Sequence, residues 1–168
     1  MLTGPAFSQA NPSNIVASLV PENSGPLVRS LSQAGPIPLE VNSPIPAGYD
    51  FPTFSTAIAF EKNSALLTRE GMAALRDVAT ALQTSDLSSS TFQVGSHLSS
   101  ASSDPVSAIP LSTRRANVVA THLTAFYGID RVRLVPVGYG MTSPVVGTNP
   151  GDLINDRIQL INVSELVR

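Results

Sequence analysis

The sequence LSTRRANVVATHLTAF, residues 111–126, has the pattern of a helix with one buried face. Ser112 is a residue type that caps helices, because its hydroxyl can accept a backbone N–H of the first turn. Apolar residues then recur three or four positions apart, at Ala116, Val119, Leu123 and Phe126. Gly128 follows at the position where a left-handed residue commonly ends a helix. The stretch therefore predicts an amphipathic helix that buries this apolar face.

Strand and helix patterns alternate on both sides of this helix. Before it, residues 55–60 and 91–94 are typical of short strands, and Thr68 can cap a helix between them. The apolar face of that helix consists of Met72, Leu75, Val78 and Leu82. After residue 128, residues 132–137 and 156–163 predict two more strands. The order β-α-β-α-β-β predicts an α/β (α+β) fold, a mixed sheet with helices packed on one face.

Composition changes near residue 52, which divides the chain into an arm, 1–52, and a folded domain, 53–168. The arm holds nine of the fourteen prolines. Because proline fixes φ and lacks an N–H, segments such as 35–38 (Gly-Pro-Ile-Pro) favour an extended, polyproline-like chain. The arm also contains apolar residues, so we expect another surface to hold it. A neighbouring subunit is the simpler expectation, and packing on its own domain is the alternative.

The composition excludes several classes of function. Charged residues make up 13% of the chain, about half the share of an average soluble domain. The net charge is −2 and Lys62 is the only lysine, so no basic patch is available for nucleic acid. The absence of cysteine excludes disulfides and thiolate metal sites, and two histidines alone make no metal-ligand spacing. We therefore expect no metal and no cofactor. The weak surface charge favours a surface partly covered by partner proteins.

Targeting and catalytic motifs are also missing. Residues 1–10 have neither the basic nor the apolar region of a signal peptide, so a signal was either removed or not used. No apolar run approaches the roughly 20 residues that span a bilayer. Gly95-Ser96-His97 lacks the second glycine of a nucleophile elbow. Gly138-Tyr139-Gly140 lacks the third glycine of a dinucleotide loop. We expect no enzymatic activity.

Four short motifs resemble the OmpA C-terminal-like family, which includes peptidoglycan-associated lipoproteins and flagellar stator plugs. The resemblance covers about residues 56–163. Residues 67–71 (LTREG) are similar to the family's L-T-x-E-G, and residues 111–116 (LSTRRA) to its L-S-x-x-R-A. Residues 138–144 (GYGMTSP) are similar to G-x-G-x-x-x-P, and residues 155–158 (NDRI) to N-R-R-V. Their shared order and spacing make the resemblance specific.

The resemblance implies a site for the free carboxylate and amine of the peptidoglycan stem peptide. Arg115 matches the helix-borne arginine whose fork of donors binds the carboxylate. Arg157 matches the second arginine of the last-strand motif, and Asn155 would help to complete the pocket. The family's G-H-T-D loop, whose Asp pairs with the amine, is not matched in register. Here His97 corresponds to the family histidine after a one-residue shift, and Asp104 lies out of register.

Each of these residues also has a purely structural interpretation. Arg115 can support the start of its helix, and Arg157 can brace the sheet and a loop. His97 can end a strand with its ring bonded to backbone, and His122, which lies off the apolar stripe, is expected to be exposed. Because an amine would lack its ion partner, we expect peptidoglycan binding to be weakened or lost.

These expectations give two main hypotheses, both without catalysis. The first is a structural subunit of a bacterial cell-envelope assembly in the periplasm, associated with the outer membrane or cell wall, with other subunits contacting the arm. A secretion-system outer-membrane core complex is the favoured setting. The second is a working peptidoglycan anchor that links an outer-membrane complex to the cell wall through Arg115, Arg157 and Asp104. A weaker third is a plug or regulator of an envelope channel.

Overall fold

The computed structural model describes residues 11–21, 40–45, 49–99 and 108–167. Within them, helices and strands follow one another as α1 Pro12–Leu19, β1 Thr53–Thr56, α2 Arg69–Leu82, β2 Phe92–His97, α3 Ile109–Tyr127, β3 Leu134–Gly140 and β4 Arg157–Asn162. Short 3₁₀ turns lie at Arg131–Arg133, Leu153–Asn155 and Ser164–Leu166. After α1 the order is the predicted β-α-β-α-β-β.

The four strands form one mixed sheet in the order β1-β4-β2-β3. Strand β4 pairs antiparallel with both β1 and β2, whereas β2 and β3 run parallel and are joined by α3. His97, at the end of β2, lies directly opposite Arg157, at the start of β4. Directly opposed residues of an antiparallel pair share a face, so these two side chains project from the same side of the sheet.

The three described helices pack against one face of the sheet, as predicted. Phe92 and Val94 of β2 point into this core, together with Leu160 of β4. The contact between α3 and β3 is especially close at Gly138, where an added Cβ would lie 2.5 Å from the Thr113 backbone nitrogen. Glycine is therefore required at this position for α3 to approach the sheet.

The opposite face of the sheet is covered by the end of the arm. Phe51, Ile161 and Val163 form a second buried cluster, against which the partly buried residues Val41, Ile45, Tyr49 and Leu166 pack. The Gln93 side-chain amide donates to the backbone carbonyls of Val41 and Ser43, at 2.8 and 2.9 Å. Apolar burial and hydrogen bonds thus both attach residues 41–45 to their own domain.

The prediction of an extended arm is wrong for residues 12–19, which form α1. Asn11 caps this helix by accepting a hydrogen bond from Ser13 N, and Pro12 occupies a first-turn position where a missing N–H is harmless. Ile15 and Leu19 lie one turn apart and are completely buried in the helix-side core. The helix therefore packs on its own domain, which is the alternative that the sequence left open for the arm. The boundary at residue 52 stays a prediction.

Several predicted element boundaries need correction. The first strand ends at Thr56, and Phe60 instead forms an isolated bridge with Leu67. Helix α3 begins at Ile109, so Ser112 is not its cap; the buried Ser112 hydroxyl accepts a hydrogen bond from Gly140 N at 2.9 Å. Phe126, expected in the buried stripe, is 73% exposed.

Candidate functional site

Arg115 lies in the second turn of α3 and points toward the loop between β1 and α2. Its Nε donates to the backbone carbonyl of Ser64 at 2.9 Å, and its guanidinium carbon lies 4.6 Å from the centre of the Phe60 ring. The side chain is only 12% exposed. Burial lowers the pKa of Arg115, and the nearby charge of Asp156 opposes that shift. The guanidinium has five N–H donors, so it can contact several acceptors at once.

Asp156 supplies an acid next to this arginine. Its Oδ1 lies 3.5 Å from Arg115 Nη1. The same oxygen accepts a weak hydrogen bond from Ser99 N at 3.4 Å. The carboxylate is 42% exposed, so one side of it faces solvent. The largely buried Arg115 and the partly exposed Asp156 thus place a cation and an anion side by side. We call Phe60, Ser64, Arg115 and Asp156 the Arg115 cluster.

The sequence did not identify Asp156 as a site residue. It occupies the position where the resembled N-R-R-V motif carries its first arginine, so the motif itself gave the signal. The sequence instead offers Asp104, in the loop after β2, as the candidate acid. That residue lies outside the described residues.

Arg157 and His97 do not join the Arg115 cluster, because they project from the other face of the sheet. Arg157 is 7% exposed and donates to Ser143 O at 3.1 Å and, at 3.5 Å, to Asn155 Oδ1. Its pKa is lowered by burial. His97 Nε2 lies 2.9 Å from Gln159 Oε1, and the ring also has a backbone hydrogen-bond partner at Ser143.

His97 is a buried ring that stays neutral. It stacks on Tyr139 with ring centres 4.4 Å apart. Burial, and secondly the charge of Arg157, lowers the pKa of His97 to about 3. Burial raises the pKa of Tyr139. The Tyr139 hydroxyl donates to Gln93 Oε1 at 2.5 Å and accepts from Ile45 N at 2.9 Å.

Asn155 organises the loop that precedes β4. Its Oδ1 accepts from Val145 N at 2.8 Å, and its Nδ2 donates to Asn149 O at 2.7 Å. The residue is 1% exposed. These bonds give Asn155 a structural part in holding the loop, next to the Arg115 cluster but turned away from solvent. The other histidine, His122, is half-buried and not exposed as expected.

The described residues contain neither a candidate metal site nor a candidate membrane-spanning helix. Within ranges 11–21, 40–45, 49–99 and 108–167, no group of three or more potential ligands could hold a metal ion. In the same ranges, no helix is long and apolar enough to span a membrane.

Comparison with known protein families identifies the domain. The profile of the OmpA family matches residues 59–156, which is more than half of the chain. This match confirms the resemblance drawn from the four motifs. The OmpA family comprises structural, non-catalytic envelope proteins, in agreement with the expectation that the domain is not an enzyme. A search of curated protein sequences gave no significant match.

Solved structures share the fold. One is the cell wall anchor of the T6SS from Pseudomonas aeruginosa, with 24% identity and a TM-score of 0.54 over 67% of this chain and 80% of that chain. A second is the OmpA-like domain of FopA1 from Francisella tularensis, with 23% identity and a TM-score of 0.51 over 64% and 69%. The peptidoglycan-associated lipoprotein from Burkholderia pseudomallei has 19% identity and a TM-score of 0.51 over 64% and 87%. These likenesses confirm the predicted α+β architecture.

Proposed function

The chain belongs to the OmpA family, and we propose that it is a non-catalytic, peptidoglycan-associated structural protein of the bacterial cell envelope. The proposed location is the periplasm, at the cell wall or outer membrane. The observation that carries the proposal is the adjacent pair of Arg115, largely buried, and Asp156, partly exposed, whose charged atoms lie 3.5 Å apart. This pair offers one charge to each end of a zwitterionic peptide group.

The proposed ligand is the peptidoglycan stem peptide, which carries a carboxylate and an amine. Arg115 binds the carboxylate, because its planar fork of donors matches the two oxygens. Asp156 binds the amine. It thus takes the place of the acid that the family carries in the loop after β2. Phe60, whose ring lies beneath the Arg115 guanidinium, fixes the arginine in place. Binding is therefore retained, in contrast to the weakened binding expected from the missing acid in the loop after β2.

Ligand binding requires the Arg115–Asp156 pair to open. The pair is partly exposed and its separation is at the long end for an ion pair, so it contributes at most about 1 kcal/mol. The ligand carboxylate can replace Asp156 beside Arg115 while Asp156 turns to the amine. The internal pair keeps Arg115 from being an unpaired, largely buried charge when no ligand is present.

Sedimentation with intact peptidoglycan sacculi tests the proposal. We expect the full chain to pellet with sacculi, and Arg115→Ala to remain in the supernatant. Arg114→Ala is the matched control, because it removes the same charge from the neighbouring, exposed position. Equal pelleting of wild type and Arg115→Ala would refute a role for the Arg115 cluster.

A structural subunit of a secretion-system envelope complex is the second candidate. It is supported by the likeness to the T6SS cell wall anchor and by the low share of charged residues, 13%. In this candidate, other subunits contact the 1–52 arm. Since Ile15 and Leu19 are buried within the chain's own core, that contact would use the apolar residues of range 27–39, outside the described residues. Cross-linking from residue 37 to another envelope protein in cells would support this candidate.

A further inference from the structure

The face of the sheet that carries no helix contains a concavity of about 200 Å³. Its polar lining includes His97, Tyr139, Arg157 and Gln159, at the end where β2 and β4 meet. Its apolar wall includes Ile45 and Tyr49 of the arm. Arg115 does not line it. The concavity is therefore separate from the Arg115 cluster, on the other side of the sheet.

Arg157 is a buried cation in this concavity. It is 7% exposed, and its two recorded hydrogen bonds go to neutral oxygens, the Ser143 carbonyl and the Asn155 amide. Within the described residues, the ion pair at 4.0 Å or less joins Arg115 to Asp156. No carboxylate of those residues therefore lies within 4.0 Å of the Arg157 guanidinium. A buried charge without an anion is costly, so the site favours a negatively charged group.

The neighbours of Arg157 do not supply that negative charge. His97 is neutral, and burial keeps the Tyr139 hydroxyl protonated. The His97 ring is 3% exposed, its Nε2 lies 2.9 Å from Gln159 Oε1, and Ser143 is a backbone hydrogen-bond partner of the ring. Both of these partners belong to the chain itself, so the Arg157 guanidinium is the donor that the lining offers to a ligand.

We propose that this concavity binds a single carboxylate carried on a small apolar body and supplied by a second molecule. Arg157 supplies the charge, and the neutral His97 ring beside it adds no second charge. One cation matches a monoanion, whereas a phosphate dianion would bring a charge that the lining does not balance. The apolar wall at Ile45 and Tyr49 accommodates the body of the ligand. A free carboxylic acid and a peptide C-terminus share this chemistry.

Nuclear magnetic resonance of the full chain, labelled with ¹³C and ¹⁵N, tests the proposal with defined probes. The probes are isobutyrate, which mimics a free acid, and N-acetylalanine, which mimics a peptide end. We expect saturable shifts of the His97 ring and Arg157 Nε–H resonances with at least one of them. The stronger binder identifies the source of the carboxylate. Isobutyramide, the neutral isostere, should cause no saturable shift.

Substitution separates this site from its surroundings. Arg157→Gln should weaken probe binding roughly tenfold or more, because the carboxylate loses its charged partner. Arg114→Gln, a matched loss of charge at an exposed position, should leave probe binding unchanged. The comparison of acid and amide uses the wild-type chain, so it stands even where Arg157→Gln fails to fold.

Three results would overturn the proposal. One is the absence of a saturable shift with either acid, and another is an equal response to isobutyrate and isobutyramide. The third is a response to isobutyrate that appears only in Asp104→Asn, because this result would mean that the chain's own acid fills the site. None of these results bears on sacculus binding through Arg115.

Discussion

Asp156 Oδ1 lies 3.5 Å from Arg115 Nη1, and this contact links the residue just before β4 to the second turn of α3. The two residues are 41 positions apart in the sequence, and only the fold brings them together. The pair creates a side-by-side cation and anion on the helix-side rim of the sheet. It also explains how a largely buried arginine remains compensated in the absence of a ligand.

Asp156→Asn should separate the binding role of this residue from its structural role. The exposed side of the carboxylate limits its contribution to stability, so the free energy of unfolding should fall by no more than about 1 kcal/mol. Binding to sacculi should fall much more, because the amine loses its anion. Urea unfolding and sacculus sedimentation measure the two effects. Unchanged sedimentation would contradict the assignment of the amine to Asp156.

Leu19→Ala should show that α1 is part of the folded domain. Leu19 is fully buried in the helix-side core, so the free energy of unfolding should fall by about 2–5 kcal/mol. Leu66→Ala is the matched control, since Leu66 is 68% exposed and should change stability by less than about 0.5 kcal/mol. Equal urea midpoints for the two variants would mean that α1 does not pack on the core.

Gly138→Ala should disturb the contact between α3 and β3. The added methyl would meet the Thr113 backbone nitrogen at 2.5 Å, which forces a shift of the helix. We expect a loss of about 1–3 kcal/mol in unfolding free energy. At Gly151 the nearest atom, Ser99 O, is 3.9 Å away, so Gly151→Ala should be close to neutral. Similar thermal midpoints for both variants would argue against the close helix–sheet contact.

His97 should make stability depend on pH. Its pKa falls from 6.5 to about 3 on folding, so the unfolded chain binds a proton more readily than the folded one. The resulting stability is fully present above pH 6.5 and is lost as pH falls toward 3. His97→Gln should flatten the dependence between about pH 6.5 and 5, where few carboxylates titrate.

The control for this pH dependence is His122→Gln. His122 is half-buried, and burial lowers its pKa as well, without a second charge nearby. Most of the slope should therefore remain in that variant. Direct titration of the His97 ring by nuclear magnetic resonance checks the assignment, and a pKa near 6.5 would contradict the burial of the neutral ring.

The sequence predicted the parts of the fold whose signals are local. Thr68 caps α2 by accepting a hydrogen bond from Gly71 N at 3.1 Å, and Gly128 ends α3 with φ at 69°. Both are residue types that favour those positions through their own chemistry. Serine also favours the capping position, but Ser112 lies within the first turn of α3. Its hydroxyl instead accepts a hydrogen bond from Gly140 N of the neighbouring strand.

The parts that were missed depend on tertiary structure. Helix α1 was obscured by the prolines around it, although Asn11-Pro12 is a helix-start signal and Ile15 and Leu19 lie one turn apart. The four motifs identified Arg115 but not Asp156, because the direction of a side chain at a strand start depends on the loop before it. The same limit applies to Arg157, whose motif position did not reveal that it faces the opposite side of the sheet.

Calorimetric titration with a soluble stem-peptide fragment tests the central claim most directly. We expect the wild-type chain and Arg114→Gln to bind the fragment equally. Arg115→Gln should bind at least about tenfold more weakly, as should the wild-type chain when the free carboxylate of the fragment is amidated. Equal affinities for the free and amidated fragments, together with unchanged binding by Arg115→Gln, would contradict recognition of the carboxylate by Arg115.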